Sequence, residues 1–446
     1  MNLTLELHFD GQWQQAAVLQ LKSAAAGYEG ASSLGYETQY FVDVGSTPFA
    51  EGQPVRDARA ISVSIPVDLE DRNLKAWPAF MLDLLPQGLQ RNRVAKHLRI
   101  DPEQRASDVQ LLMHGAGSPV GNLRIREARD EELKRMEGRS RLGISMKDIL
   151  DRTERFLEVA DRYALLASGS SGLQGNWPKI AMTKAADGQW YPDSAVADVD
   201  AREHVIVKFT RSDEAVDDLI LRSEAAYSAI AKEFGIDVHG VSTHGTGVLV
   251  VPRFDRAVTE KGLIRYGQES FVSAIGVSEF NHLDTHDNYL AMLRGVSSDP
   301  QSDVTEYVLR DVLNIAMGNT DNHGRNTALR KDAEGGIRIS PLFDFAPMKL
   351  SPAAIVRSTK WECMKAESRD YNPDWKTVCE AAAGDVLSAE DMIEAISAKE
   401  DFVRALPEAA RKHGLPDDMI NRAFSATEAV ADAIAAMKVA PTRGVK

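Results

Sequence analysis

The stretch EYVLRDVLNIAMGN, residues 306–319, constrains the chain most. Its apolar residues fall at 308, 309, 312, 313, 316 and 317, the one-faced spacing of a helix packed along one side. A helix of that kind delivers the loop after it to a fixed place, and that loop is GNTDNHGRN, residues 318–326. An Asx-rich stretch between a helix and a strand reads as a turn, a metal site or a catalytic loop. Asp321 and Asn326 stand at D-x-x-x-x-N spacing, in which the carboxylate orients a substrate hydroxyl and the amide oxygen ligates Mg²⁺. Both are hard oxygen donors of the type that cation prefers. His323 has no second His or Cys close by in sequence for a zinc site. It reads as a brace for the loop, with Asp321 the better placed group for proton transfer.

The flanking sequence divides into four stretches. Residues 3–9, LTLELHF, alternate apolar and polar, DG at 10–11 marks a turn, and WQQAAVLQL predicts the return strand. ISVSIPV (61–67) predicts another strand. FMLDLLPQGLQRNRVAKHLRI (80–100) predicts helical stretches interrupted at Pro86-Gln87-Gly88, with Leu89, Val94 and Leu98 on a buried face. Residues 1–127 therefore read as an N-terminal α+β subdomain, and 128–167 as a charge-rich connector ending in a helix. From 168 to 256 the pattern is turn, hairpin at DGQW (187–190), strand at HVIVKF (204–209), helix at SEAAYSAIAKEFGI (223–236) with Ser223 as N-cap, and strand at VLVVPRF (248–254). That is a sheet-rich lobe. Residues 257–446 read as a helical lobe in which GIRISPLFDF (336–345) returns as a strand.

Composition narrows the function. With 446 residues, 43% of them hydrophobic, the chain can bury a real core. A formal charge of −14 disfavours direct DNA binding, so any role at DNA would run through a basic partner. Two cysteines make neither a disulfide framework nor a zinc site and fit a reducing cytoplasm. The N-terminus lacks a signal-peptide pattern, and no run approaches the ~18 apolar residues of a membrane span. A cytoplasmic protein with no membrane partner is expected.

A small sheet lobe followed by a helical lobe is a common way to build a nucleotide cleft. Lys208 lies inside the apolar strand HVIVKF, and a buried ammonium is costly unless paired. The phosphates of ATP would supply that pairing, with Glu224, 16 residues later, orienting the lysine; a wet sheet face is the plainer alternative. SGSSG (168–172), with Ser170, Ser171 and Gly172, is either a phosphate-approaching loop or a simple turn, and it is not a Walker A loop. Asp344, in PLFDF (341–345), lies 18 residues after Asn326, where a metal-binding carboxylate belongs behind a D-x-x-x-x-N loop; DFA stands in place of DFG.

In this order, LLPQGLQRNRVAKHLRI (84–100), GAGSPVGNLRI (115–125), HVIVKF, SEAAYSAIAKEFGI, VPRFDR, GNTDNHGRN and ISPLFDF resemble the HipA-type serine/threonine kinases, toxins of bacterial toxin–antitoxin pairs. The resemblance covers nearly the whole chain. It implies an α+β, two-lobed protein-kinase-like fold preceded by a small N-terminal subdomain. It implies ATP and Mg²⁺ as cofactors, with Lys208 on the ATP phosphates, Asp321 catalytic, and Asn326 and Asp344 on Mg²⁺. VPRF would be the adenine-facing hinge. Pro252 stands there where the family usually has Glu; it keeps its carbonyl for the adenine amino group, and the Phe254 N–H would serve the ring. The family's glycine loop often reads G-x-Q-x-K; here Gly172-Leu173-Gln174 is followed by GNWP before Lys179. Family members silence themselves by phosphorylating a loop serine, for which Ser170 and Ser171 are the candidates.

The resemblance further implies a small helix-turn-helix antitoxin of the HipB type as partner, with DNA reached only through it. It implies a protein substrate such as an aminoacyl-tRNA synthetase. Two other functions share these residues: a small-molecule phosphotransferase, and a non-catalytic pseudokinase corepressor.

Overall fold

The structure is a computed structural model and describes residues 1–138, 141–164, 178–212, 214–364 and 372–437. The chain divides into two compact units. The first comprises 1–213, 242–282 and 328–340; the second comprises 214–241, 283–327 and 341–446.

The first unit opens on the expected hairpin, β1 (Asn2–Phe9) with β2 (Gln12–Leu21). With β3 (Ser32–Tyr36), β4 (Arg72–Leu74) and β5 (Leu123–Ile125) it makes an antiparallel sheet of order β4-β3-β2-β1-β5. Leu3, Leu5 and Leu7 face a core that includes Trp77, Phe80 and Leu111. The opposite face of β1 is covered too: Glu6 is buried and takes both Arg124 and Arg126 at 2.7 Å. A second antiparallel sheet runs β7-β6-β8-β10-β9, from β6 (Lys179–Ala185), β7 (Trp190–Pro192), β8 (Ala201–Phe209), β9 (Thr243–Gly245) and β10 (Val248–Pro252). The turn of the β6–β7 hairpin carries Gly188 at φ 80°, as DGQW predicts. Val205, Val207, Val248 and Val250 pack there against Phe156 and Val159. A ribbon, β11 (Arg256–Thr259) with β12 (Gly262–Arg265), and a small sheet, β13 (Gly267–Ser270), β14 (Ala328–Lys331) and β15 (Ile337–Ile339), complete the strands.

Several local expectations change. Residues 61–67 form a turn, not a strand: Ile65 N–H donates to Ser62 O, while Ser62 and Val63 donate to the buried carboxylate of Glu269. That carboxylate also holds Lys331 at 2.9 Å, so local donors serve a buried ion pair and not a ladder. Of the face at 88–98, Val94 is buried but Leu89 is exposed, and Gln90 takes its place inside. The connector takes in most of the helix Arg126–Met136 and then the helices Met146–Leu150 and Glu154–Ala164, the last two parted where Arg152 turns left-handed at φ 49°.

The second unit is helical. Its longest helix, Ala215–Phe234, starts eight residues before Ser223, with Asp217 and Asp218 in the first turn against the helix dipole. Ser223 is thus interior, and its hydroxyl bonds the Leu219 carbonyl one turn back. Gly235 caps the C-terminus at φ 105°, close to the end that SEAAYSAIAKEFGI predicts. The strand expected over 336–345 stops at Ile339; Pro341 has no N–H to extend it, and Leu342 N–H turns to Asp237 O. No helix among the described residues is long and apolar enough to cross a membrane.

Candidate active site

The helix Pro300–Ala316 aims the loop. Asp299 caps its start and Pro300 opens its first turn. Val304, Val308, Val312, Leu313 and Ala316 are fully buried along one side. Gly318, at φ 70°, turns the chain out of the helix, and an added Cβ would meet the Ala423 carbonyl oxygen at 2.4 Å. Asn319 then folds back on Asn314 through its N–H (2.9 Å) and its amide (2.8 Å). Its own side-chain oxygen receives the Asp321 N–H at 3.3 Å. The loop is thereby anchored to the last turns of a rigid helix.

Within the loop the bonds converge on Asp321. Asn326 Nδ2 donates to the Asp321 carbonyl at 2.8 Å, which directs the amide oxygen away from that carbonyl. His323 accepts the Arg325 N–H on Nδ1 at 3.3 Å, so Nε2 carries the proton and faces Asp321 Oδ1 at 3.4 Å. The Asn326 N–H closes the turn on His323 O at 2.8 Å. Asp321, Asn326 and Asp344 line one pocket of the second unit. Asp344 takes a left-handed backbone, φ 52°, which Asp tolerates better than most residues. Next to it, Phe345 is buried edge-on to Tyr227 at 5.2 Å, and Tyr227 OH donates to Met317 O at 2.7 Å. Tyr227 lies one turn beyond Glu224, so one side chain links the helix carrying Glu224, the end of the helix Pro300–Ala316, and the segment carrying Asp344.

Behind the loop stands a buried polar network that sequence reasoning missed. Asn322 donates to Thr359 O at 2.9 Å and accepts from the Ser358 N–H at 3.2 Å. One residue before Ser358, Arg357 gives Nη2 to both oxygens of Asp311 (2.7 and 2.9 Å), which also accepts Trp361 Nε1 at 2.8 Å. His286 stacks on Trp361 and joins Tyr307 OH at 2.8 Å through Nδ1 and Arg357 Nη2 at 3.1 Å through Nε2. Burial works against ionised Asp311, yet Arg357, His286 and the hydrogen bonds hold its carboxyl below the usual range. Burial pushes His286 down to about 4, with Asp311 opposing and Arg357 assisting the shift.

The His286 shift has a pH signature. In the unfolded chain it titrates at its ordinary 6.5, so between pH 6.5 and 4 the unfolded chain holds the extra proton. Stability should therefore fall as pH drops through that window and be insensitive to His286 above it. His286→Gln should reduce the slope there by about one proton, roughly 1.4 kcal/mol per pH unit. Urea unfolding at stepped pH measures it; an unchanged slope would mean His286 is not held neutral. His8, also pushed to about 4, stays in the variant as an internal reference.

The remaining sequence candidates fall in both units. Lys208 on β8 is 4% exposed, so it does not lie on a wet face, and Lys179 on β6 stands directly across from it, 8% exposed. Pro252 ends β10, and the Arg253 N–H donates to His204 O at 3.0 Å, fixing the approach to Phe254. Glu224, 7% exposed, belongs to the second unit. Ser170, Ser171 and Gly172 lie outside the described residues. For Mg²⁺, Asn326 and Asp344 offer suitable oxygens. Among the described residues no cluster of three or more His, Cys, Asp or Glu could cage a metal without further ligands. The donor set fits a cation that is shared with phosphates and water.

Residues 171–407 match the model of the HipA-like C-terminal domain. The Sinorhizobium fredii protein named "Putative kinase Y4mE" is 28% identical over 341 residues, covering 72% of this chain and 76% of that one. The HipA chain of the Shewanella oneidensis HipA–HipB–operator DNA complex superposes with a TM-score of 0.59 at 16% identity, over 97% of this chain and 96% of that one. The α+β, kinase-like fold implied by the sequence is the fold the chain adopts. The matched domain spans more than half of the chain and contains the whole Asp321–Asn326–Asp344 constellation: the protein belongs to the HipA-like kinase family.

Proposed function

We propose that the protein is an ATP- and Mg²⁺-dependent serine/threonine protein kinase and the toxin of a toxin–antitoxin pair. The observation that carries this reading is the convergence of Asp321, Asn326 and Asp344 on one pocket, in the order and spacing phosphoryl transfer uses. In the reaction, Asp321 orients a Ser or Thr hydroxyl and takes its proton as the oxygen–phosphorus bond forms and the bond to the ADP oxygen breaks. His323 holds the Asp321 carboxylate in position. Asn326 and Asp344 hold the cation, and Mg²⁺ supplies charge neutralisation at the phosphates. Lys208 and Lys179 bind phosphate oxygens, with Glu224 orienting Lys208. The carbonyl of Pro252 and the N–H of Phe254 take the adenine edge. Phosphorylation of Ser170 or Ser171 would bring about −1.5 to −2 charge near the phosphates and shut the site.

The Shewanella HipA structure contains HipB and operator DNA. A HipB-like, helix-turn-helix partner suits a chain of net charge −14, because the partner would supply the basic surface for DNA. The substrate is proposed to be a cytoplasmic translation protein of the aminoacyl-tRNA synthetase type.

Calorimetric titration tests the reading. Wild type should bind ATP with Mg²⁺ and bind Mg²⁺ alone only weakly. Lys208→Ala should keep the fold and lose about 1.5–3 kcal/mol of ATP affinity, roughly 10–100-fold. Unchanged affinity would remove Lys208 from the site, and tight Mg²⁺ binding without nucleotide would contradict the shared-ligand cation.

A further inference from the structure

Away from the catalytic residues, the first unit encloses a cavity of about 200 Å³. Its walls include Arg124 from β5, Arg129 from the helix Arg126–Met136, and Arg265 from β12, together with Trp13 and the carboxylates of Asp193 and Asp198. The Arg124 guanidinium lies 3.9 Å over the Trp13 ring and that of Arg265 5.3 Å from it. The carboxylates around the cavity are already committed. Arg124 and Arg126 share Glu6, and Arg253 and Arg256 share Asp255. Arg129 is paired with Glu132, Arg265 with Asp198, and Asp193 with Arg253. Three guanidinium groups and two carboxylates, Asp193 and Asp198, thus line the cavity, and among the described residues the buried Nε of Arg265 has no hydrogen-bond partner.

Burial and the closeness of the guanidinium groups register on several residues of this region. Burial, then the neighbouring Arg265, pushes Arg256 down to about 9. Burial lowers Arg124 as well; Glu6 opposes, and Arg129 and Arg265 add to the lowering. Burial followed by Arg265 likewise pushes His8 down. A buried N–H donor without an acceptor is costly, and an anion in the cavity would supply the acceptor that Arg265 Nε lacks. Guanidinium groups match the oxygens of phosphate in geometry as well as charge. The volume lies below the roughly 300–1,000 Å³ of drug-sized sites, which favours a small oxyanion over a nucleotide.

We infer that the cavity is an anion site for a small ligand of the phosphate class, which ties β5 and the helix after it to the 193–198 segment and β12. The inference is independent of the kinase reading, since none of these residues belongs to the catalytic set. The probe is inorganic phosphate, titrated calorimetrically into the full chain at ionic strength matched with chloride. A saturating non-hydrolysable ATP analogue is present throughout, so that the nucleotide site is filled. Wild type should bind phosphate saturably and gain melting temperature. Arg124→Gln, which leaves Arg126 on Glu6, and Arg265→Gln, which leaves the partly exposed Asp198 to water, should each bind roughly tenfold or more weakly. Ala197→Leu narrows the cavity with every arginine in place and should weaken binding as well. Affinity for the ATP analogue should stay unchanged in all three. A parallel titration with glycerol phosphate separates the sources: tighter binding than inorganic phosphate assigns the site to a phosphorylated metabolite, weaker binding to the free ion. No saturable phosphate binding in wild type, or equal binding in wild type and all three variants, overturns the inference.

Discussion

Asp321→Asn should lose about 10²–10⁴-fold in phosphoryl transfer, roughly 3–5 kcal/mol of barrier, while its melting temperature and ATP affinity stay near wild type. The amide keeps the size of the carboxylate but neither its charge nor its strength as an acceptor. The loop does not rest on that side chain. It is held by the Asp321 N–H on Asn319, the Asp321 carbonyl on Asn326 Nδ2, and the Asn326 N–H on His323 O. The one side-chain contact given up is the 3.4 Å approach of His323 Nε2, and His323 is substantially exposed, so the stability cost is small. A loop that were only an Asx-rich turn would show the reverse, a modest fall in melting temperature with turnover intact. Melting temperature, ATP affinity and turnover on the same variant separate the two, and near-normal turnover would return GNTDNHGRN to being a turn. In cells, the variant should also relieve any growth arrest that the wild type causes.

How much was legible in the sequence depends on the range of the interactions. The hairpin at 2–21, the one-sided helix before Asp321 and the Gly235 cap are set by neighbours a few residues apart, and local pattern reports them. Residues 61–67 misled because a strand-like apolar alternation is overruled by Glu269, about 200 residues away, whose buried carboxylate takes the local donors. Ser223 misled because a helix start was placed at a good capping residue while the acidic first turn at Asp217 and Asp218 lay upstream. In the site, Asp321, Asn326 and Asp344 were visible as a spacing. The residues that make the spacing rigid were not: Asn322 is an unremarkable loop amide until Ser358 and Thr359 close on it. His286, Asp311 and Arg357 meet only in the folded unit. Tyr227 had a weak signal, lying one turn beyond Glu224, but nothing local marks its bond to Met317.

The largest stability effect should come from that invisible network. Arg357→Met should cost about 3–5 kcal/mol, because it strips the cation from a carboxylate that is 1% exposed. Asp311 would keep only the Trp361 N–H and a His286 that burial holds neutral, and neither offsets a full buried charge. The pair itself need not be worth that much. Two desolvated ions often come close to breaking even against an apolar pair of similar size, so the loss measures the stranded charge. Adding Asp311→Asn to Arg357→Met should therefore restore part of the stability, a non-additivity that ordinary packing damage would not produce. Activity should fall alongside, since Arg357 immediately precedes the Ser358–Thr359 backbone that clasps Asn322, next to Asp321, the proposed catalytic carboxylate. Urea unfolding of wild type, both single variants and the double variant decides it. A loss below about 1 kcal/mol in Arg357→Met, or a double variant weaker than Arg357→Met alone, would show that the stranded charge at Asp311 does not govern the stability of this unit.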